Sequence, residues 1–365
     1  MRHQVAIVVG GQQVVGWTSY SIETSLLSPT DSFELVRAVD REAYNLCATD
    51  TPVQVTIDGV PVVTGRIDHL SSSAREGRMT VRGRCKAGRL VDESAPGVQY
   101  GGLRMLALLE RLADPWFKVA SSGARDRDVR RGKGHKAPAA TEPLVIDAVT
   151  AGGRIEPGQP RWTVIEQLVS QAGYLCWSSA DGRELVVGPP NYQQEVQWRF
   201  EHREGAGNVL DLTSEEDITE GYSQILVVGS GRGTDADYGV GPADRAGKVL
   251  DGPGPFGVGL DFLAPKRLVI AQQADSTAEA QRLAKREAIR RNQRRRTVTV
   301  EAPGFGQLVR GTTPTIFAPN TLARVIYDKT GLDAVYLVVS CRYQSRRDGD
   351  QTTLSLVPRG TELSL

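Results

Sequence analysis

The sequence predicts a mainly β protein of several domains: two antiparallel β-barrel domains around a small α/β insert, with a helical insertion in the second barrel. Three observations predict it. Val53, Val55 and Ile57 alternate with Gln54 and Thr56 and run through Asp58-Gly59 into Val60–Val63, a pattern that selects a two-residue hairpin turn. From Leu103 the apolar spacing changes to that of an amphipathic helix. From Ile225 short β runs return and continue to the end of the chain. A length of 365 residues exceeds what one core usually organises, so more than one domain is expected.

The elements follow in chain order. Val5–Val9 is a short apolar strand closed by Gly10-Gly11. After the 53–63 hairpin, Met79, Val81, Gly83 and Cys85 fall on one face of a strand, with Arg78, Thr80, Arg82 and Arg84 on the other. One dry and one wet face suit a small barrel or sandwich. Beyond Pro96-Gly97, Leu103, Leu106, Leu109 and Leu112 recur at helical spacing, and Asp114-Pro115 ends that helix. A second helix is expected from about Trp162 to Ala172, with Trp162, Ile165, Leu168 and Val169 on one face and Gly173 as its stop. Tyr174–Trp177, the turn Asp181-Gly182 and Leu185–Val187 form another hairpin. Ile225–Val228 reads as a strand and Gly229 to Pro255 as a long surface loop. Ser276-Thr277-Ala278-Glu279 has capping-box spacing and opens a helix to about Arg295. Strands resume at Thr297–Val300, Leu322–Tyr327, Val335–Val339 and Thr352–Val357. The expected domains are residues 1–98 (first barrel), 99–203 (α/β insert) and 204–365 (second barrel, helical insertion around 266–296).

Lys and Arg total 44 against 43 Asp and Glu, a net charge of +1, so no global field points to nucleic acid or a membrane surface. Cys47, Cys85, Cys176 and Cys341 are widely spaced, form no CxxC pair and read as reduced core thiols. The opening Met1-Arg2-His3-Gln4 leads into only five apolar residues, too few for a signal peptide, so the chain is expected to be made in the cytoplasm without classical export.

Each candidate for chemistry in the sequence has a plainer reading. Gly229-Ser230-Gly231-Arg232-Gly233 lacks the spacing and following helix of a dinucleotide fingerprint and reads as a loop. Glu215, Glu216, Asp217 and Glu220 would be the paired carboxylates of a glycosidase, but their polar flanks favour a solvated segment. His3, His69, His135 and His202 show no metal-ligand spacing. Two basic clusters carry more weight: Arg125, Arg127, Arg130, Arg131, Lys133, His135 and Lys136, and the helix with Lys285, Arg286, Arg290, Arg291, Arg294, Arg295 and Arg296. Neither interleaves aromatic residues for base stacking, so a solvated or inter-subunit ion-pair face is the simpler reading. No catalytic, cofactor-binding or metal-ligating residue is assigned, and the chain is expected not to be an enzyme. A tail-associated cell-wall hydrolase and a nucleic-acid-binding module remain as alternatives.

Val53-Gln-Val-Thr-Ile-Asp-Gly with Val63-Thr-Gly-Arg-Ile-Asp, and then Gly88-Arg-Leu-Val-Asp-Glu-Ser-Ala, resemble stretches of the Mu-like phage baseplate hub proteins, the last being close to that family's "RDLVDCSA". Trp162…Ile165…Leu168…Gly173-Tyr174 and Asp181-Gly182-Arg183-Glu184-Leu185 follow in the family's order, as do Pro265-Lys266-Arg267, Ala318-Pro319-Asn320 and the final Asp348-Gly349…Thr352–Leu356. The chain departs from the pattern at Glu93, where the family has cysteine, at Phe317-Ala318, where a tryptophan is usual, and in the Gly229–Phe256 stretch. The resemblance implies a homotrimer in which each subunit brings two tail-tube-like β-barrels. It further implies a hub that joins a sixfold tail tube (or tube-initiator protein) to a threefold central spike. Tape-measure and baseplate wedge proteins would be neighbours, DNA would only pass through the channel, and no small-molecule substrate or cofactor is implied. The place would be the virion tail baseplate, assembled in the host cytoplasm.

Overall fold

The computed structural model describes residues 3–97, 103–122, 155–171, 174–217, 224–229, 245–250, 267–271, 296–307 and 315–361, with residues 219, 222, 277, 280, 281, 283, 284, 287, 288, 291 and 363. The chain forms two compact units, one of Met1–Thr213 with Thr299–Leu356 and Leu365, the other of Ser214–Val298 with Val357–Ser364.

The first unit opens with β1 (Val5–Val9) and β2 (Gln12–Val14), joined at Gly10-Gly11, then β3 (Ser19–Ser25) and β4 (Ser32–Ala38). Helix α1 (Arg41–Leu46) is capped by Asp40, whose carboxylate accepts the Glu42 and Ala43 N–H groups that the helix cannot satisfy internally. β5 (Pro52–Ile57) and β6 (Val60–Ser73) meet at Asp58-Gly59, with φ of 50° and 80°, the paired positive values a primed hairpin turn demands. β7 (Arg78–Cys85) buries Met79, Val81, Gly83 and Cys85, as the alternation predicts. α2 (Ala87–Asp92) follows.

The insert contains α3 (Met105–Ala113), β8 (Lys118–Ser121), α4 (Arg161–Gln171), β9 (Leu175–Ser178) and β10 (Glu184–Gly188). β10 lies between β8, parallel, and β9, antiparallel. On α3 the buried face is Met105, Leu108, Leu109 and Leu112, while Leu103 stays 37% exposed ahead of the helix. The expected 103–106–109–112 stripe is therefore turned toward the i, i+3, i+4, i+7 row that one helical face presents. The insert is held to the main sheet at its β9–β10 turn, where Thr64 Oγ1 on β6 donates to the Ala180 carbonyl at 2.7 Å.

β11 (Val196–Arg203) lies inside the stretch expected for the insert, yet it pairs in parallel with a strand of the large sheet. β12 (Ala206–Gly207) and β13 (Asp211–Glu216) follow it. The second unit holds β14 (Gln224–Gly229), β15 (Arg245–Leu250) and β16 (Arg267–Ala271), in the order β15-β14-β16. Residues 277, 280, 281, 283, 284, 287, 288 and 291 are helical, and Ala280 and Ala284 pack on Ile225 and Val227. The helical insertion is thus the cover of a small sheet. The 229–255 stretch, expected as loop, contains β15, and its remainder lies outside the described residues.

The chain finishes with β17 (Arg296–Pro303), β18 (Gly306–Gln307), β19 (Thr315–Ile316), β20 (Leu322–Tyr327), β21 (Leu332–Arg346) and β22 (Gly349–Pro358). The large sheet runs β12-β11-β20-β21-β3-β4-β7-β6-β5-β1-β2, with β13, β17 and β22 off this path. Two closed barrels were expected. Among the described residues the path is open, and the strands of both barrel regions join in one sheet because β21 pairs with β3. Ile7, Ile22, Leu35, Val55 and Ile67 are fully buried in its N-terminal half. Trp198, Phe200, Phe317 and Tyr343 pack the other half, with the Trp198 and Phe317 rings edge-on at 4.9 Å. A polar pin holds the N-terminus: His3 N–H and Tyr20 O–H donate to the two Asp350 oxygens at 2.7 and 2.6 Å, and Phe305 N–H donates to His3 Nε2 at 3.1 Å.

One close approach sets a sharp requirement. A Cβ on Gly83 would lie 2.1 Å from the Arg66 carbonyl oxygen and 2.4 Å from Phe33 Cζ, because Phe33 stands directly opposite it on β4. Gly83→Ala should therefore destabilise the fold by at least about 2 kcal/mol through overpacking, read as a lower midpoint in urea unfolding. Unchanged stability would mean that this approach is looser than described.

Candidate functional site

The wet face of the sheet carries cross-strand ion pairs. Arg342 on β21 stands opposite Glu23 on β3, with Nη2 and Oε2 at 2.9 Å. Arg82 on β7 stands opposite Glu34 on β4, with Nε and Oε2 at 3.1 Å. Around α2 the pairs become a network. Arg84 reaches Asp68 at 2.7 Å and Asp92 at 2.8 Å, Arg66 reaches Asp92 at 2.5 Å, and Arg89 pairs with Asp50. The Arg84 guanidinium, with Arg66 beside it, holds the Asp92 carboxyl below the usual range, and Asp68 and Asp92 together raise Arg84. Exposed pairs of this kind contribute about 0–1 kcal/mol each, so their main effect is to fix side-chain geometry. The network continues into the insert. Arg89 lies 5.2 Å from the Trp116 ring centroid, Arg161 pairs with Glu93 at 3.2 Å, and Arg161 Nη1 donates to the Leu112 and Asp114 carbonyls at the end of α3.

A cleft of about 480 Å³ opens between the β3–β4 connection, the β5–β6 turn, the β9–β10 hairpin and the segment before β20. Asp31, Pro61, Trp177, Ser178, Phe317 and Pro319 line it. Asp31 accepts the Ser25 N–H at 3.0 Å, its own N–H donates to Cys85 Sγ at 3.3 Å, and its carbonyl accepts the Cys85 N–H at 2.9 Å. Burial pushes the Asp31 carboxyl up to about 7; the Ser25 bond opposes this rise and Glu23 adds to it. This acid had no signal in the sequence beyond being one carboxylate in Pro29–Ser32.

The residues singled out from sequence fall elsewhere. All four cysteines are free and buried, and burial raises Cys47 to about 11 and Cys85 to about 12, so these thiols stay protonated. Glu215, Glu216 and Asp217 are exposed at the end of β13, and Glu216 pairs with Arg296 at 3.1 Å; Glu220 lies outside the described residues. Gly229 ends β14, and the other glycines of that run lie outside the described residues. The 125–136 basic cluster also lies outside them. Of the residues expected on the basic helix, Arg291 and Arg296 are described: Arg291 pairs with Glu287 at 2.7 Å and lies 4.9 Å from the Tyr222 ring centroid, whereas Arg296 is not helical but opens β17. Lys285, Arg286, Arg290, Arg294 and Arg295 are outside the described residues. His3 is in the Asp350 pin, His69 is exposed on β6 and His202 packs on Tyr327, while His135 is not described. Among the described residues no group of His, Cys, Asp and Glu is arranged to hold a metal.

Comparison with known proteins places this architecture. Residues 4–85 match the family described as Mu phage baseplate assembly protein GpP-like, N-terminal. The chain is 26% identical to baseplate hub protein gp44 of Escherichia phage Mu over 369 residues, covering 98% of this chain and 89% of that protein. The crystal structure of a tail protein from Neisseria meningitidis MC58 matches with a TM-score of 0.78 at 23% identity, covering 99% of this chain and 98% of that one. The 43 kDa tail protein of prophage MuSo2 from Shewanella oneidensis matches at 0.75 and 19%, covering 98% of both. The fold is the one these tail proteins share. In sequence the chain is a homologue of the Mu baseplate hub protein gp44 along nearly its whole length.

The folded state holds the Asp31 proton more tightly than the unfolded chain, whose value is near 3.8, so the stability linked to this proton is lost as pH rises from about 4 to about 7. Asp31→Asn keeps an acceptor for Ser25 N–H and removes the charge. Its stability advantage over the native chain should grow by about 2 kcal/mol between pH 5 and pH 8, allowing for partial exposure. Denaturant titrations at the two pH values check this, and a constant difference would show that Asp31 does not titrate there.

Proposed function

We propose that this chain is the structural hub of a contractile-tail baseplate, or of a tail-like injection particle, acting as a homotrimeric adaptor between tail tube and central spike. Each subunit brings two tube-like β-domains, residues 1–98 and 204–365, around the insert of 99–203. Three subunits with duplicated domains present pseudo-sixfold edges on one side and threefold edges on the other, a symmetry match that a single-domain subunit lacks. The tube or tube-initiator protein and the spike are then its direct partners. Tape-measure and wedge proteins adjoin them, and DNA is passing cargo. The place of action is the virion tail, after assembly in the host cytoplasm.

The observation that carries this reading is the β21–β3 ladder, which fuses the N-terminal and C-terminal β-regions into one sheet. Domains joined edge to edge act as one rigid piece of a ring, whereas domains on a linker would not keep a fixed angle. Full-length similarity to a baseplate hub supports the same reading. The ion-paired sheet face fits it too, since a surface whose charges are neutralised within the subunit has little field to hold a passing polyanion.

At micromolar concentration the purified chain should sediment as a trimer and appear in negative stain as rings with a central channel. A monodisperse monomer without rings would overturn the proposal.

A further inference from the structure

Asp31 and the cleft it lines have no part in the assembly proposed above. The backbone around this acid is fixed on both sides by Cys85, and one carboxylate oxygen takes the Ser25 N–H. The titratable groups that face it are Glu23 on β3, Cys85 on β7, and Cys341 and Tyr343 on β21. None is a cation, and among the described residues no Lys, Arg or His pairs with Asp31. Asp68 and Asp92, by contrast, sit against Arg66 and Arg84. The rest of the lining carries no charge: Trp177, Pro61 and Pro319 contribute apolar surface, Ser178 and Ser179 hydroxyls and Asn320 an amide. A volume of about 480 Å³ admits an extended aliphatic stem with a polar head.

We propose that this cleft binds an organic cation, an ammonium or guanidinium group on an aliphatic stem, with Asp31 as the counter-charge and Trp177 packing on the stem or head. A carboxylate in a poorly hydrated cleft gains more from a cation than one in water, and an aromatic wall favours the same charge. Carboxylate plus hydroxyls provide no cationic donor for an anion. The cation would be either a Lys or Arg side chain of another protein or a free polyamine, and the head-group chemistry is the same for both.

Because burial raises Asp31 to about 7, a cation competes with the proton there. Calorimetric titration of the full chain with cadaverine, N-acetyl-lysine methylamide, N-acetyl-arginine methylamide and uncharged 1-pentanol tests the site. Affinity for the cations should rise about tenfold from pH 6 to pH 8, as the ionised fraction of a group with that value rises. Asp31→Asn should lose at least tenfold in affinity, with pentanol weak throughout. Trp177→Leu guards against misfolding of the first variant, and it should weaken cation binding with the pH dependence kept. Tighter binding of cadaverine would identify a free polyamine as occupant, and tighter binding of a capped amino acid a protein side chain. No binding at millimolar concentration, equal binding of pentanol, or unaltered binding by Asp31→Asn would overturn the proposal.

Discussion

The ladder between β21 and β3 is the constraint on which the large unit depends. β21 is 15 residues long, about 50 Å at the rise of a strand, and it serves different partners along its length. Leu332–Leu337 pairs with β20, and Ser340–Gln344 pairs with β3. Cys341 stands opposite Thr24, more than three hundred residues away in sequence. Closing so long a separation is entropically costly, although the cost grows only slowly with length. The ladder alone does not offset it. The packing it brings together does: Ile22 and Leu26 from the N-terminal region and Leu337, Cys341 and Tyr343 from β21 are all buried. The Asp350 pin acts in the same direction, since His3 and Tyr20 reach across the chain to β22.

This dependence explains which parts of the fold were legible in the sequence. The Asp58-Gly59 hairpin, the alternation of β7, the helices α3 and α4 and the β9–β10 hairpin all rest on local spacing, and each is where its pattern put it. Partner choice between distant strands has no local signature. Two β-regions that each read as a small barrel therefore gave no sign that β21 would join them in one open sheet. β3 has little contrast between its faces in the sequence: Tyr20, Ile22 and Thr24 form its buried row with Ser21 and Glu23 between them, and the buried row itself ends on a polar residue. β15 reads as loop in the sequence for a similar reason. Short strands in segments rich in charge, glycine or alanine acquire their state from the neighbour they pair with.

The candidate site was less legible than the fold. Charge clusters draw attention in a sequence because they are dense, yet Glu216 and Arg291 proved to be engaged in ordinary ion pairs. Asp31 stands alone in the sequence and becomes distinctive only through Cys85, Ser25 and the cleft, which come from four separate parts of the chain.

The acids of the large unit show why that environment matters. Asp350 is buried, but two donors meet its two oxygens, and its role is to fasten the N-terminus. Asp68 and Asp92 are neutralised by arginines on the sheet face. Asp31 is held as firmly as these by its backbone, yet its side chain has one neutral donor and a neighbouring acid, Glu23, that opposes its ionisation. Such an arrangement lowers stability at neutral pH, and replacing Asp31 by asparagine would relieve it without disturbing the Ser25 bond. A local misfit at the wall of a cleft, in a unit whose other acids are well partnered, is the usual mark of a group kept for something outside the subunit. The paired charges of the sheet face are already neutralised and have little attraction left for a partner. Once ionised, a carboxylate with no cation beside it keeps its attraction for one from outside, and the cleft lining decides which cation can reach it.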